Sequence, residues 1–257
     1  MPPQHPRSWP VWMPAVLAVG LLTGNMLLQS VLFGLTDDLY LTVGLAAVAT
    51  LLAARAAGGL YGLPFSTLAL LRPIPPAVAG LAVLAAAGAL MPASLLTGLS
   101  TALRPPPPAW LEFLNAHLPA TPAERAAAWV AVTVAAPLAE EVLFRGLLYR
   151  SLRAAWAPWP VAVLTALLFA LSHGEPWAMF GLIALGLLYA RLTELTGSIL
   201  PAVLAHAVHN GLSFALMLHE GGMTLPAADA ATPWGALAAS LAVLGAALAL
   251  LARRPRR

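Results

Sequence analysis

The sequence predicts an all-α protein, a polytopic membrane helix bundle with about eight transmembrane helices. Of its 257 residues, 60% are hydrophobic and only 9% are charged, whereas a soluble domain usually carries about 25% charged residues. The mean hydropathy is +0.84, and the apolar residues form long runs of the kind that a membrane-spanning helix requires. The chain contains no cysteine, which excludes disulfides, thiol nucleophiles and cysteine-bound metal.

The predicted spans follow one another along the chain with short connections. We predict them at residues 12–35, 39–54, 77–103, 121–155, 158–172, 176–195, 198–219 and 232–251. The first is too long for the core of a signal peptide, so we expect it to be retained. Residues 55–76 predict a loop with a short surface helix, and residues 109–118 predict a short helix in the membrane interface. Thr121, Pro122 and Glu124 are typical of the start of a helix.

The distribution of arginine predicts the orientation of these spans. All basic residues are arginine, and ten of the thirteen fall in segments that lie on one side of the membrane if the spans alternate. Two fall on the other side, and Arg145 lies within a span. Since cytoplasmic segments carry the excess of positive charge, we expect both termini to be cytoplasmic. The net charge of +3 is therefore a signal of topology and does not indicate a nucleic-acid partner.

The middle of the fourth span contains three charged residues, Glu140, Glu141 and Arg145, in an otherwise apolar run. A charged side chain near the centre of a bilayer costs about 2.5–3.5 kcal/mol on insertion scales, so three of them call for a reason. Glu141 and Arg145 are four residues apart on a helix and can pair, while Glu140 points about 100° away. Pro137, one turn earlier, removes a backbone hydrogen bond and predicts a kink or an opening of the backbone beside these acids.

Polar residues also occur inside two later spans. His173 ends the fifth span, with Phe169 one turn before it, and His206 and Asn210 lie one turn apart in the seventh. At a rise of about 1.5 Å per residue, Glu140 and these polar residues reach similar depths in a core about 30 Å thick. We therefore expect one buried site built from three spans.

The residue types of this site indicate hydrolysis of an amide bond. A carboxylate in an apolar cavity is a competent general base for water, and a histidine can orient that water. A second histidine and an amide NH2 can donate hydrogen bonds to a developing oxyanion. The same residues leave a zinc site open as an alternative, with Glu140, His173 and His206 as ligands. The sequence has no HExxH, GxSxG or GxGD motif, so other hydrolytic signatures are missing.

These motifs resemble a known family. Glu140-Glu141-x-x-x-Arg145, Phe169-x-x-x-His173 and His206-x-x-x-Asn210, in this order, are similar to the three motifs of the CAAX-protease and bacteriocin-processing family of intramembrane proteases, related to the Ras-converting enzymes. The resemblance implies a membrane-embedded, CAAX prenyl endopeptidase-like enzyme. It also implies that Glu140 and His173 activate water, that His206 and Asn210 stabilise the oxyanion, and that Glu141, Arg145 and Phe169 support them.

The resemblance divides one structural domain into three segments. Residues 1–119 contain the N-terminal spans, loops and interfacial helix, residues 120–215 the family-like catalytic core, and residues 216–257 the last span and a basic tail. The expected partners are a membrane-associated peptide or protein substrate and the lipid bilayer, with no nucleic acid. We expect an integral multi-pass protein of a prokaryotic cell membrane.

Two other classes of function are left open by the residues. One is a membrane scaffold or immunity protein that binds a partner without catalysis, and the other is an ion- or proton-coupled transporter with Glu140 and His173 as a relay. We rank both below the protease, because a relay has no use for the His206 and Asn210 pair. No cofactor is expected: asparagine is a poor zinc ligand, and the three candidate ligands lie on separate spans without the paired helical spacing of HExxH.

Overall fold

The computed structural model describes residues 10, 12–60, 62, 64–223 and 233–254. Within this part of the chain every regular element is a helix, so the predicted all-α bundle is confirmed. We number the longer elements in chain order as α1 (Met13–Thr36), α2 (Leu39–Leu60), α3 (Phe65–Leu68), α4 (Pro76–Leu103), α5 (Pro108–Ala116), α6 (Pro122–Arg153), α7 (Pro158–Ser172), α8 (Met179–Thr196), α9 (Leu200–His219) and α10 (Trp234–Ala252).

The number of full-length spans differs from the prediction of eight. Seven helices of the described residues are long and apolar enough to cross a membrane, namely α1, α2, α4, α6, α8 with the 3-10 turn before it, α9 and α10. The predicted fifth span, α7, has only 15 residues. At about 1.5 Å per residue it is about 22 Å long, which is less than a core of about 30 Å. It ends at His173, and Gly174 follows with a φ of 68° that favours glycine.

Helix α6 begins as the sequence predicts. The side chain of Thr121 accepts a hydrogen bond from the backbone N–H of Glu124, and the Glu124 carboxylate accepts one in return from the backbone of Thr121. Pro122 occupies the first turn, where a missing N–H costs nothing. This capping box fixes the N-terminus of α6, the helix that carries Glu140 and Glu141.

The middle of α6 departs from regular α-helix in two places. Ala131–Ala135 and Val142–Tyr149 are π-helical, and the α-helical turn Ala136–Glu141 lies between them. Such wide turns are rare and often occur at functional sites. Both acids therefore lie on a short α-helical piece bounded by π-helix on either side.

Two layers of contact surround α6. Helices α1, α2, α7, α8 and α9 contact it directly, while α4 packs against α8, α9 and α10 on the far side. Gly186 of α8 lies against Ala166 of α7, where a side-chain Cβ would come within 2.9 Å of its neighbour. This small residue lets the two helices approach closely, as is common in membrane bundles. Helices α1 and α10 bury the smallest shares of their length and form the periphery.

Several predictions for the ends of the chain are not addressed by these contacts. Residues 1–9 and the last three residues of the predicted basic tail lie outside the described residues. The cytoplasmic placement of both termini and the division of the chain at residues 119 and 215 therefore stay predictions. The two short helices expected in the connections are present as α3 and α5.

Candidate active site

Glu141 and Arg145 form a fully buried ion pair on α6. Nη1 of Arg145 donates to Oε1 of Glu141 at 2.9 Å, and neither side chain is exposed. Nη2 of Arg145 donates to the backbone carbonyl of Gly186 at 2.9 Å. The guanidinium also lies over the rings of Phe169 and Tyr189, with its carbon 4.8 and 5.3 Å from their centroids. A buried charge needs this degree of pairing and hydrogen bonding to be tolerated.

The same carboxylate also holds His206 of α9. Oε1 of Glu141 accepts a hydrogen bond from Nδ1 of His206 at 2.9 Å, which assigns the hydrogen to Nδ1. The imidazole is stacked on the ring of Tyr189, with centroids 4.8 Å apart and planes inclined by 16°. The ring of His206 is therefore fixed in position and orientation, and its Nε2 faces away from Glu141 toward Glu140.

Glu140 has a different environment from its neighbour. About 30% of its side chain is exposed, and Oε2 is buried without a hydrogen-bond partner among the described residues. This oxygen lies 3.8 Å from Nε2 of His206 and 4.0 Å from Nε2 of His173. Both separations are too long for a direct hydrogen bond. One carboxylate oxygen is thus flanked by two imidazole nitrogens at a distance that leaves it free to bind a further group.

His173 is positioned by the end of α7. Its Nδ1 lies 2.8 Å from the backbone carbonyl of Phe169, which can only accept, so Nδ1 carries the hydrogen. The ring also makes an edge contact with the ring of Phe169 at 4.6 Å. In the neutral imidazole Nε2 is then an acceptor, and it is this atom that faces Glu140.

Asn210 is oriented by the irregular backbone of α6. Its Nδ2 donates to the carbonyl of Val132 at 3.1 Å. In a π-helix that carbonyl would bond to the N–H five residues later, which is Pro137, and proline has no N–H. The carbonyl is therefore available to Asn210. One hydrogen of the amide is used in this way, and the second remains.

A cavity of about 310 Å³ opens beside Glu140 and His173, and we call it the catalytic cavity. It brings in polar residues that the sequence did not single out, Asn25 and Gln29 of α1 and Glu175 after α7. Asn25 donates to Thr50 of α2 and accepts from Gln29, so a polar row joins the two helices. Burial raises the pKa of Glu175 above its ordinary value, while the charge of His173 acts in the opposite direction.

The predicted site residues are related as follows. Nε2 of His173 and Nε2 of His206 both lie within 4.0 Å of Oε2 of Glu140. Asn210 lies one turn along α9 from His206. The ring of Phe169 contacts the rings of both histidines. The contact between Glu141 and His206 was missed, because nothing in the sequence links two residues on different helices. Asn25 and Gln29 carried no signal beyond being amides in an apolar helix.

Comparison with known proteins agrees with this arrangement. Residues 122–212, about a third of the chain, match the family described as Type II CAAX prenyl endopeptidase Rce1-like. This part of the chain is similar to that family. The Rce1-like family is a membrane protease family. The match and the seven apolar helices of the described residues support an integral membrane protein. No curated protein and no solved structure matches the chain.

The matched segment covers all seven predicted site residues. It begins at the first turn of α6 and ends within α9, two residues after Asn210. The Rce1-like segment is thus the part of the bundle that carries Glu140, His173, His206 and Asn210. The role of each residue, the substrate and the prokaryotic origin stay predictions.

Proposed function

We propose that this chain is an intramembrane endopeptidase in which Glu140 activates water for attack on a peptide bond. The observation that carries the proposal is the position of Glu140 Oε2, which is buried, has no hydrogen-bond partner among the described residues and is flanked by two imidazole nitrogens. The family match supports the same reaction class. A peptide segment that enters the catalytic cavity meets the Glu140 side chain, about 30% of which is exposed there.

The nucleophile in this proposal is a water molecule between Glu140 and His173. A water there donates one hydrogen to Oε2 of Glu140 and the other to Nε2 of His173, so that an oxygen lone pair points to the substrate. On attack, the O–C bond forms, one proton passes to Glu140 and the carbonyl oxygen becomes an oxyanion. When the tetrahedral intermediate collapses, the C–N bond breaks and the proton on Glu140 passes to the leaving amine.

The oxyanion is stabilised by His206 and Asn210. The remaining hydrogen of the Asn210 amide is one donor, and Nε2 of His206 is the other. Because Nδ1 of His206 already donates to Glu141, Nε2 can donate only from the imidazolium form. The reaction therefore needs Glu140 deprotonated and His206 doubly protonated at the same time. Such a requirement gives a bell-shaped dependence of rate on pH.

Metal independence is part of the proposal. Among the described residues no group of three or more His, Asp or Glu side chains is arranged to hold a metal ion. The Nε2 atoms of His173 and His206 lie 4.0 and 3.8 Å from the Glu140 oxygen, whereas neighbouring ligands of a tetrahedral zinc with bonds of about 2.0–2.2 Å are closer together. The longer separations support a mechanism without zinc, and no step of the proposed mechanism uses a metal.

The test uses the full chain purified in detergent. The family description makes a prenylated CAAX peptide the first substrate to try. We expect Glu140→Gln to abolish its cleavage with unchanged expression and thermal stability. Glu112→Gln, an exposed acid on α5, is the matched control and should retain wild-type activity. A second readout compares new protein N-termini in membranes that contain the wild type or Glu140→Gln, which covers substrates without a prenyl group. Full cleavage by Glu140→Gln in both readouts would overturn the proposal.

The same preparation tests the metal. Treatment with a chelator should leave the cleavage rate and the thermal stability unchanged, and metal analysis should find no stoichiometric zinc. Activity that is lost on chelation and restored by zinc alone would contradict this part of the proposal while leaving the protease assignment intact.

A further inference from the structure

A second cavity, at the other end of α6, is lined by three arginines. It has a volume of about 310 Å³ and lies between the end of α6, the loop before α4 and the turn after α8. We call it the basic cavity and define its charged residues as Arg72, Arg150, Arg153 and Glu194. Arg150 is ten residues after Glu140 on α6, so the two cavities lie at different levels of this helix. The catalytic mechanism uses none of these residues.

The positive charge of the basic cavity is only partly balanced. Glu194 is its one lining carboxylate among the described residues, and Arg153 engages both of its oxygens at 3.2 and 3.3 Å. The hydroxyl of Tyr149 donates to the same carboxylate at 3.0 Å. The cavity lining thus has three guanidinium groups and one carboxylate. Because Arg153 pairs with that carboxylate, the charges of Arg72 and Arg150 are not balanced by a lining acid.

The two remaining arginines are held in place by the backbone around them. Nη1 of Arg150 donates to the carbonyls of Thr67 and Leu68, which leaves its other N–H groups available. The backbone carbonyl of Arg72 accepts from the hydroxyl of Ser198 at 2.7 Å, and the carbonyl of Leu70 accepts from the N–H of Ile199 at 3.2 Å. The loop that carries Arg72 is thus pinned to the turn after α8. The side chain of Arg150 and the backbone of Arg72 are therefore both held beside the basic cavity.

The surroundings indicate the depth of the basic cavity in the membrane. Trp156 and Trp159 follow Arg153 and are 52% and 68% exposed, and Arg153 donates to the carbonyl of Trp156. Exposed tryptophans at the ends of spans lie at the level of lipid headgroups. Leu60, at the end of α2, is 83% exposed as well. Since apolar and aromatic residues face outward at this end of the bundle, the arginines stand where phosphate groups of lipids are found.

We propose that the basic cavity binds the phosphate group of an anionic phospholipid between Arg72 and Arg150. Guanidinium groups match the geometry of phosphate oxygens and can donate two parallel hydrogen bonds. Basic pockets between membrane helices bind anionic headgroups by the same chemistry. The volume is at the lower end of the range for small-molecule sites, which is about 300–1,000 Å³ and suits a headgroup rather than a polymer. The bound lipid would hold the loop before α4 against the end of α6.

The experiment measures lipid binding to the full chain by native mass spectrometry, with phosphatidylglycerol, phosphatidylcholine or inorganic phosphate as the probe. We expect the wild type to bind phosphatidylglycerol more tightly than phosphatidylcholine, which carries no net charge. Arg72→Gln should weaken phosphatidylglycerol binding about fivefold, the factor that corresponds to one arginine near an anionic membrane surface. This variant loses no side-chain hydrogen bond that the described residues record for Arg72, so it should fold normally.

The matched control is Arg191→Gln, which removes an exposed arginine from the same end of the bundle without lining the cavity. It should bind phosphatidylglycerol as the wild type does. Arg72→Lys keeps the charge and should lie between the wild type and Arg72→Gln. Equal affinities of Arg72→Gln and Arg191→Gln would overturn the proposal. Displacement of the lipid by inorganic phosphate at an equal concentration would also overturn it, in favour of a site for the free ion.

Discussion

Glu140 and Glu141 are neighbours in the chain but lie in opposite environments. Glu141 is fully buried, and one of its oxygens accepts hydrogen bonds from Arg145 and His206. Glu140 lines an open cavity, and its buried oxygen has no hydrogen-bond partner within the described part of the chain. The difference shows how two identical side chains take two roles: one is held by structure, and the other is left available for chemistry.

The largest effect should follow from breaking the buried ion pair between Glu141 and Arg145. Arg145→Met removes a charge but keeps an apolar side chain, and it leaves Glu141 buried with His206 alone. Removing one partner of a buried ion pair costs about 3–5 kcal/mol, so we expect a large fall in the temperature of unfolding in detergent. Arg191→Met, at an exposed site, should change it little. The double variant Glu141→Gln with Arg145→Met should be more stable than Arg145→Met. If Arg145→Met unfolds like the wild type, the pair does not stabilise the bundle.

A smaller effect, on rate rather than on stability, should follow from changing the oxyanion donor. Loss of one such donor lowers kcat by about 10²–10³. We expect Asn210→Ala to show this loss in cleavage assays with little change in KM, because the amide acts on the transition state. Asn115→Ala, which removes an amide far from the catalytic cavity, is the control. A change in KM without a change in kcat would assign Asn210 to substrate binding instead.

The smallest effect concerns Glu175, the second carboxyl group that lines the catalytic cavity. Burial raises the folded-state pKa of Glu175, so its stabilising contribution is present below the unfolded pKa and is lost as the pH rises through the folded pKa. Glu175→Gln cannot ionise and avoids this loss. We therefore expect the variant to unfold at the same temperature as the wild type at pH 4 and at a higher temperature at pH 8. A difference of the opposite sign at pH 8 would show that the carboxylate of Glu175 is stabilised by its neighbours.

Much of the bundle follows from local patterns in the sequence. Apolar runs predicted the helices, and Thr121 with Glu124 predicted the start of α6, because both depend on residues close in the chain. About eight spans were predicted, and seven helices of the described residues have the length of a full span; the remaining predicted span, α7, is an apolar helix of 15 residues.

The contacts of the candidate active site were harder to predict from the sequence than the helices were. The pairing of Glu141 with Arg145 follows from their spacing of four residues, whereas the hydrogen bond from His206 joins residues that are 65 positions apart. Pro137 predicted an opening of the backbone beside the acids, and the carbonyl of Val132 is free for Asn210 because Pro137 has no N–H. The partner of that carbonyl could not be predicted, because Asn210 lies on another helix.

The π-helical stretch Val142–Tyr149 lies between the residues of the two cavities. A π-turn is equivalent to an α-helix into which one extra residue has been inserted. Deleting one residue there would let the helix close into regular α-turns, and Arg150 would rotate relative to Glu140 by less than the roughly 100° of one α-helical residue. This segment can therefore absorb a change of one residue in length with little effect on the relation between the proposed lipid site and the proposed protease site.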